Sequence, residues 1–307
     1  MTNEDTQTVP VKSEYARCVS ALNRTGILTL LPKSGRLGVI GIDGKEYPTP
    51  TQEQVAELFA YNRELVARKV PQGFDRLELT PMAMPTQLLL DKMRAAIVKH
   101  AAEAKIYQTK RSASEALIPV RVNSEKQVWI WDTLRQALDT DELVYFPKEY
   151  CSNHQGQTKL EVINNGRVCA VLGWSVGLVE SYPIMPQHCR GKTLGSRRQL
   201  EIGSSPREYL QTLQTQTYLG ETGKTLEDFI TKFLTHLETT NEVSNDVNDN
   251  NALWCLGQYL KVPYAELVPT GRWIRTVGRA RLDMHRTGNK LCTKSWGVST
   301  TVRLLRH

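Results

Sequence analysis

The chain reads as an α+β protein, on three observations. Between Arg279 and His285 the residues alternate with period two. Ala280, Leu282 and Met284 point one way and Arg279, Arg281, Asp283 and His285 the other, as in a half-buried strand. Elsewhere apolar residues recur at helical spacing behind recognisable caps, as at Thr51 with Gln54 and at Ser205-Pro206-Arg207-Glu208. Near the start, two apolar runs, Ile27–Leu31 and Leu37–Ile42, flank a Pro-Lys-Ser-Gly turn and read as a small sheet.

Residues 1–12 form a polar, acidic tail without the cationic head or apolar centre of a signal peptide, so the expected location is cytoplasmic by default. An N-terminal α/β module is expected over 13–112. It opens with a short helix, 15–22, followed by the small sheet, which ends at the Asp43-Gly44 turn. Thr51 and Gln54 then cap a helix predicted over 51–68, carrying Val55, Leu58, Phe59, Leu65 and Val66. A strand over 74–80 and a helix over 86–105 complete the module. The lysines that close this helix answer its macrodipole.

The polar stretch 110–115 is the expected boundary, with a second domain over 116–307. Residues 118–122 read as a strand, 128–138 as a helix and 143–146 as a buried strand stopped by Pro147. Trp129 and Trp131 lie two apart and cannot share one helix face, so one of them belongs at an element end. A helical turn is expected over 157–163, and Ser205 and Thr225 start two amphipathic helices. The Asn-rich stretch 241–251 lacks the glycine and glutamate of a calcium loop and reads as a solvated loop. Thr287-Gly288-Asn289-Lys290 is expected to reverse the strand at 279–285. A last alternating run then carries Trp296, Val298, Thr300, Val302 and Leu304 on one side, so that two antiparallel strands end the protein.

Charge is concentrated at this end. From Thr270 to His307 nine lysines and arginines face the single acid Asp283, a balance of +8 against +7 for all 307 residues. No apolar run approaches the roughly 20 residues of a membrane span, so membrane insertion is not expected. The six cysteines, at 18, 151, 169, 189, 255 and 292, form no Cys-x-x-Cys pair and read as reduced thiols, mostly buried. Neither Cys151 with His154 nor His188 with Cys189 has a structural-zinc spacing, and no metal or cofactor is expected. Gly191-Lys192-Thr193 and Gly223-Lys224-Thr225 each lack the upstream glycine of a phosphate-binding loop. No Gly-x-Ser-x-Gly or His-Glu-x-x-His occurs either, so the reading is non-enzymatic.

Several short motifs carry a family resemblance over roughly the last 190 residues. Glu238-Thr239-Thr240-Asn241, Leu256-Gly257-x-Tyr259, Val268-Pro269 with Trp273-x-Arg275, and Trp296-Gly297-Val298 with Val302-Arg303 resemble the variable proteins of diversity-generating retroelements. Gly191-Lys192-Thr193 to Glu201 and Ser205 to Leu213 fit the same family. The resemblance implies a C-terminal C-type-lectin-like domain of short twisted antiparallel strands flanked by helices, close in fold to the formylglycine-generating enzymes. It implies a variable segment over about 270–303, rewritten by error-prone reverse transcription, and a non-catalytic binding function. The diversified, ligand-contacting set it implies is Arg272, Ile274, Arg275, Thr276, Arg279, Arg281, Asp283, His285, Arg286, Asn289 and Lys290. Trp273, Trp296, Gly297, Val298 and Val302 would be framework. The calcium-dependent sugar motifs Glu-Pro-Asn and Trp-Asn-Asp are missing, and Cys255 and Cys292 are too far apart in sequence for the enzymes' close cysteine pair. The implied partner is a macromolecule, a protein. A nucleic acid held by the basic strands and a formylglycine-generating type enzyme are the alternatives.

Overall fold

A computed structural model describes residues 9–110, 112, 114–166, 169–181, 185–245, 252–262, 265–288 and 295–306. Helix α1 (Val11–Arg24) precedes the expected small antiparallel sheet of β1 (Thr29–Leu30), β2 (Leu37–Ile40) and β3 (Glu46–Pro48). Gly35 and Gly44 turn the chain at φ 64° and 72°, a region costly for other residues. Both bonds of the Thr51–Gln54 capping box are present at the start of α2 (Gln52–Tyr61). The helix expected to reach residue 68 breaks once, at Asn62, before α3 (Arg63–Lys69). There the Asn62 amide donates to the carbonyls of Leu58 and Leu305, tying the break to the far end of the chain. Strand β4 (Arg76–Thr80) and helix α4 (Thr86–Ala102) follow.

The middle of the chain departs from expectation in two places. Residues 118–122 form no strand, only a bridge between Tyr107 and Pro119. The helix expected over 128–138 divides into β5 (Val128–Ile130) and α5 (Asp132–Ala137), with Trp131 at the joint. This resolves the tryptophan conflict, because Trp129 is a strand residue and Trp131 an N-cap. Then come β6 (Leu143–Tyr145), α6 (Lys159–Asn164), β7 (Ser175–Val179) and the hairpin β8 (Thr193–Leu194) with β9 (Arg197–Arg198). Ser205 and Glu208 form a full capping box on α7 (Pro206–Leu213). After β10 (Glu221–Gly223), Thr225 and Asp228 do the same for α8 (Leu226–Thr240), which ends on Asn241 in the left-handed region.

Strands β11 (Ala252–Trp254), β12 (Gln258–Val262), β13 (Ala265–Ile274), β14 (Arg279–Arg286), β15 (Trp296–Gly297) and β16 (Thr300–Arg303) close the chain. Long β13 is the axis of a seven-stranded sheet. It pairs with β14 along one side, with β12 and β11 along the other, and β5 joins parallel to β14. The expected antiparallel pairing of the last two strands does not occur. β15 pairs parallel to β11, whereas β16 crosses into a four-stranded sheet of order β10-β16-β7-β4.

That second sheet spans the boundary expected at 112–116. β4 pairs with β7 over five residues, and one apolar cluster runs from Val9 to Leu304, so the two halves share a core. Helix α8 lies across the inner face of the large sheet. Phe229, Ile230, Phe233, Leu234 and Leu237 are all buried, and the Phe233 ring stacks on Trp273 with centroids 6.3 Å apart. Each such side chain contributes about 1.5–3 kcal/mol of transfer free energy. At Gly271 a Cβ would lie 2.5 Å from the Phe229 ring, so only glycine lets the helix approach this closely.

Ion pairs stitch the same interior. Arg303, only 4% exposed, pairs with Asp228 and donates to Thr222. Burial alone would raise the Asp228 carboxyl, but Arg303 and Lys224 beside it and the Thr225 amide hold it below its ordinary value. Arg303 is therefore not part of a water-facing basic strand. No helix among the described residues is long and apolar enough to cross a membrane.

Candidate ligand-binding face

The outer face of the seven-stranded sheet follows from its register. Residues directly opposite in a ladder share a face. Thr270 faces Asp283, Arg272 faces Arg281 and Ile274 faces Arg279 across β13 and β14, with Val268 opposite His285. Arg281 in turn neighbours Trp129, Thr270 neighbours Trp254, and Trp296 neighbours Ala252. Five strands from four parts of the chain therefore put three tryptophans, three arginines, an aspartate and a histidine on one surface. The inner face carries Ala280, Leu282 and Met284, all buried, as the alternation requires.

Asp283 is the electrostatic centre. Its Oδ2 accepts from Arg281 Nε at 2.9 Å, and Arg272 Nη2 lies 3.5 Å away. His285 Nε2 is 3.8 Å from the same oxygen. Each guanidinium also covers an aromatic ring. Arg281 sits 4.4 Å from the Trp129 centroid and Arg272 4.4 Å from that of Trp296. Such stacking contributes about 0.5–2 kcal/mol, more where water is excluded. The His285 ring meets Trp296 edge to face at 4.6 Å and Trp254 at 5.9 Å, while the two tryptophans are 4.6 Å apart. Burial lowers the His285 pKa and Arg272 and Arg281 lower it further, against the pull of Asp283, so its neutral form prevails near neutral pH.

The buried polar atoms Trp254 Nε1, Thr270 Oγ1, Arg279 Nε and His285 Nε2 on this face make no hydrogen bond among the described residues.

The eleven expected site residues divide by their surroundings. Arg272 and Asp283, 8% and 7% exposed, do not fan into water. Trp296 and the neighbouring strands cover them, and they serve as the ionic support of the face. Arg281 and His285 are half-buried. Ile274, Arg275, Thr276, Arg279 and Arg286 range from half-buried to exposed, around the 275–278 turn and along the outer edge of β14. Asn289 and Lys290 lie outside the described residues. The sequence reading missed Trp129 and Trp254, which back the arginines and His285. The incompatible spacing of Trp129 and Trp131 was the signal for the first.

Among the described residues no group of three or more His, Cys, Asp or Glu side chains is placed to hold a metal ion. Cys255 is fully buried, and burial first of all pushes its thiol well above its ordinary pKa. Cys18, Cys169 and Cys255 are buried free thiols, Cys151 is half-buried and Cys189 is exposed. No protein-family model, curated protein or solved structure matches the chain.

Proposed function

We propose that the outer face of the seven-stranded sheet binds a macromolecular ligand, a protein, and that the chain is a variable protein of a diversity-generating retroelement with a C-type-lectin-like sheet. The observation that carries this reading is the division of labour across β13 and β14. Inward residues pack on α8, so a change there costs about 1–5 kcal/mol. Outward residues touch ring faces, one carboxylate and solvent, and most can change cheaply. Within the family's set the diversified positions are Ile274, Arg275, Thr276, Arg279, Arg281, His285 and Arg286, with Arg272 and Asp283 holding the platform beneath them.

Aromatic and guanidinium groups are the side chains that dominate protein-binding hot spots, and here they are already stacked and oriented before any ligand arrives. A nucleic-acid reading draws on the +8 segment, but Arg272 and Arg303 are engaged with internal carboxylates and offer less to phosphate. The buried, high-pKa thiol of Cys255 favours a non-catalytic reading over a formylglycine-generating one.

Sequencing the DNA beside the reading frame tests the proposal. A near copy of the stretch encoding about Trp273 to Arg303, differing at adenines and lying near a reverse transcriptase, is the expected result. Absence of any such copy from the locus would remove the diversification reading.

A further inference from the structure

A second candidate site lies away from the strand face. The α2–α3 corner, the end of β6, helix α7 and strand β10 enclose a cleft of about 900 Å³. That volume is in the range of small-molecule sites, about 300–1,000 Å³. Its wall is largely apolar, with Leu213, Leu256, Phe146 and Leu305 prominent. The charged groups are unevenly placed. Arg63, Arg68 and Lys148 line it as exposed cations against one exposed acid, Glu64. The other acid, Glu221, is buried, and its oxygens are already held by Lys69, Arg197 and Thr300.

Three features mark the cleft as built. Arg303, more than nine-tenths buried, lines it, and its Nε, Nη1 and Nη2 each donate once, to Thr222, Ser175 and Asp228. These bonds and the ion pair to Asp228 fix the guanidinium as a rigid part of the wall. Phe146, whose ring lies 4.6 Å beneath Arg303, holds φ at 50°, a conformation bulky residues rarely adopt. Its N–H is pinned by the Gly257 carbonyl at 2.8 Å, and strain of this kind collects at ligand sites. At Gly220, with φ +88°, a Cβ would lie 2.7 Å from Leu65, so the backbone there lets α3 close the wall.

We propose that this cleft binds a small organic anion with an apolar body, its carboxylate or phosphate head among the exposed cations Arg63, Arg68 and Lys148 and its body on Phe146 and the leucines. Apolar walls alone would take any hydrophobe. The cations select the anionic one, because an uncharged analogue leaves them without a counter-charge. The site is independent of the strand face, so either can fail without the other.

Isothermal titration of the full chain with decanoate, decyl phosphate and decanol tests this. At least one of the two anions is expected to bind with one-to-one stoichiometry, and which of them is tighter identifies the head group. Decanol should bind at least about tenfold more weakly than that anion. The double variant Arg63→Glu with Lys148→Glu alters exposed residues only. It should weaken the anion about tenfold and leave the melting temperature unchanged. Failure of both anions to bind, decanol binding as tightly as they do, or a loss of less than about twofold in the double variant would each overturn the assignment. Loss of folding in that variant is decided by the single change Lys148→Glu under the same twofold criterion.

Discussion

Replacing Asp283 by asparagine removes one charge at almost constant volume, and the face should respond out of proportion to that change. The carboxylate is 7% exposed and lies 2.7 Å from Arg281, 3.5 Å from Arg272 and 3.8 Å from His285. Breaking a buried pair by removing one partner costs about 3–5 kcal/mol. The Arg281 side chain is 33% exposed and keeps its contact with water and Trp129, so its share must be discounted. Arg272, with a side chain only 10% exposed, has little water to replace the lost carboxylate. Together these give a loss of about 2–3 kcal/mol for Asp283→Asn at neutral pH. For a chain of this size that is a fall of roughly 3–5 °C in melting temperature. Calorimetry or urea unfolding, with the exposed change Arg286→Ala as a control expected within about 0.5 kcal/mol of the parent, measures it. A loss below about 0.5 kcal/mol for Asp283→Asn would mean that the carboxylate does not organise the face, and the preorganised platform would be refuted.

Other consequences follow from the same geometry. Burial, and Lys232 one turn away, lower the His236 pKa to about 4, and its Nε2 makes no hydrogen bond among the described residues. A base lowered in the folded state favours folding fully above its unfolded value, near 6.5, and loses that support as pH falls towards 4. Stability should therefore drop by up to about 3 kcal/mol between pH 6.5 and 4, and His236→Leu should flatten the acid limb in urea titrations. An unchanged limb would contradict this. Gly271→Ala pushes a methyl into the Phe229 ring and is expected to cost about 1–3 kcal/mol in urea unfolding, whereas a neutral result would show that α8 can shift freely. Trp129→Ala removes the ring under Arg281 and should cost about 1 kcal/mol of stability. Once a ligand is in hand, the same change should weaken binding by about 2 kcal/mol, and full retained affinity would take Trp129 out of the site.

Local chemistry made much of this fold legible before the structure. The boxes at Thr51, Ser205 and Thr225 mark helix starts because a hydroxyl three residues before a carboxylate or amide satisfies backbone donors within one turn. The alternation over 279–285 marks β14 for an equally local reason, the two-residue pleat. What was hidden depends on partners far along the chain. Val128–Ile130 is too short to declare itself a strand and becomes one by pairing with β14 some 150 positions later. The run after Trp296 alternates evenly, yet it changes sheets between Gly297 and Thr300, which no local pattern announces. The alternation likewise separated an inner from an outer side but could not reveal that Trp296 and β11 roof the outer side at Arg272 and Asp283. The cleft shares the difficulty, since Arg63, Lys148 and Arg303 meet only when the chain is closed.

Randomising Arg275, Thr276, Arg279 and Arg286 together, and in a parallel set Ala280, Leu282 and Trp273, then scoring each variant for folding by protease resistance, tests the central claim most directly. Most of the first set should fold with stabilities within about 1 kcal/mol of the parent, and most of the second should not fold. Equal tolerance in the two sets, or collapse of the first, would contradict a binding face carried by a scaffold that does not depend on it.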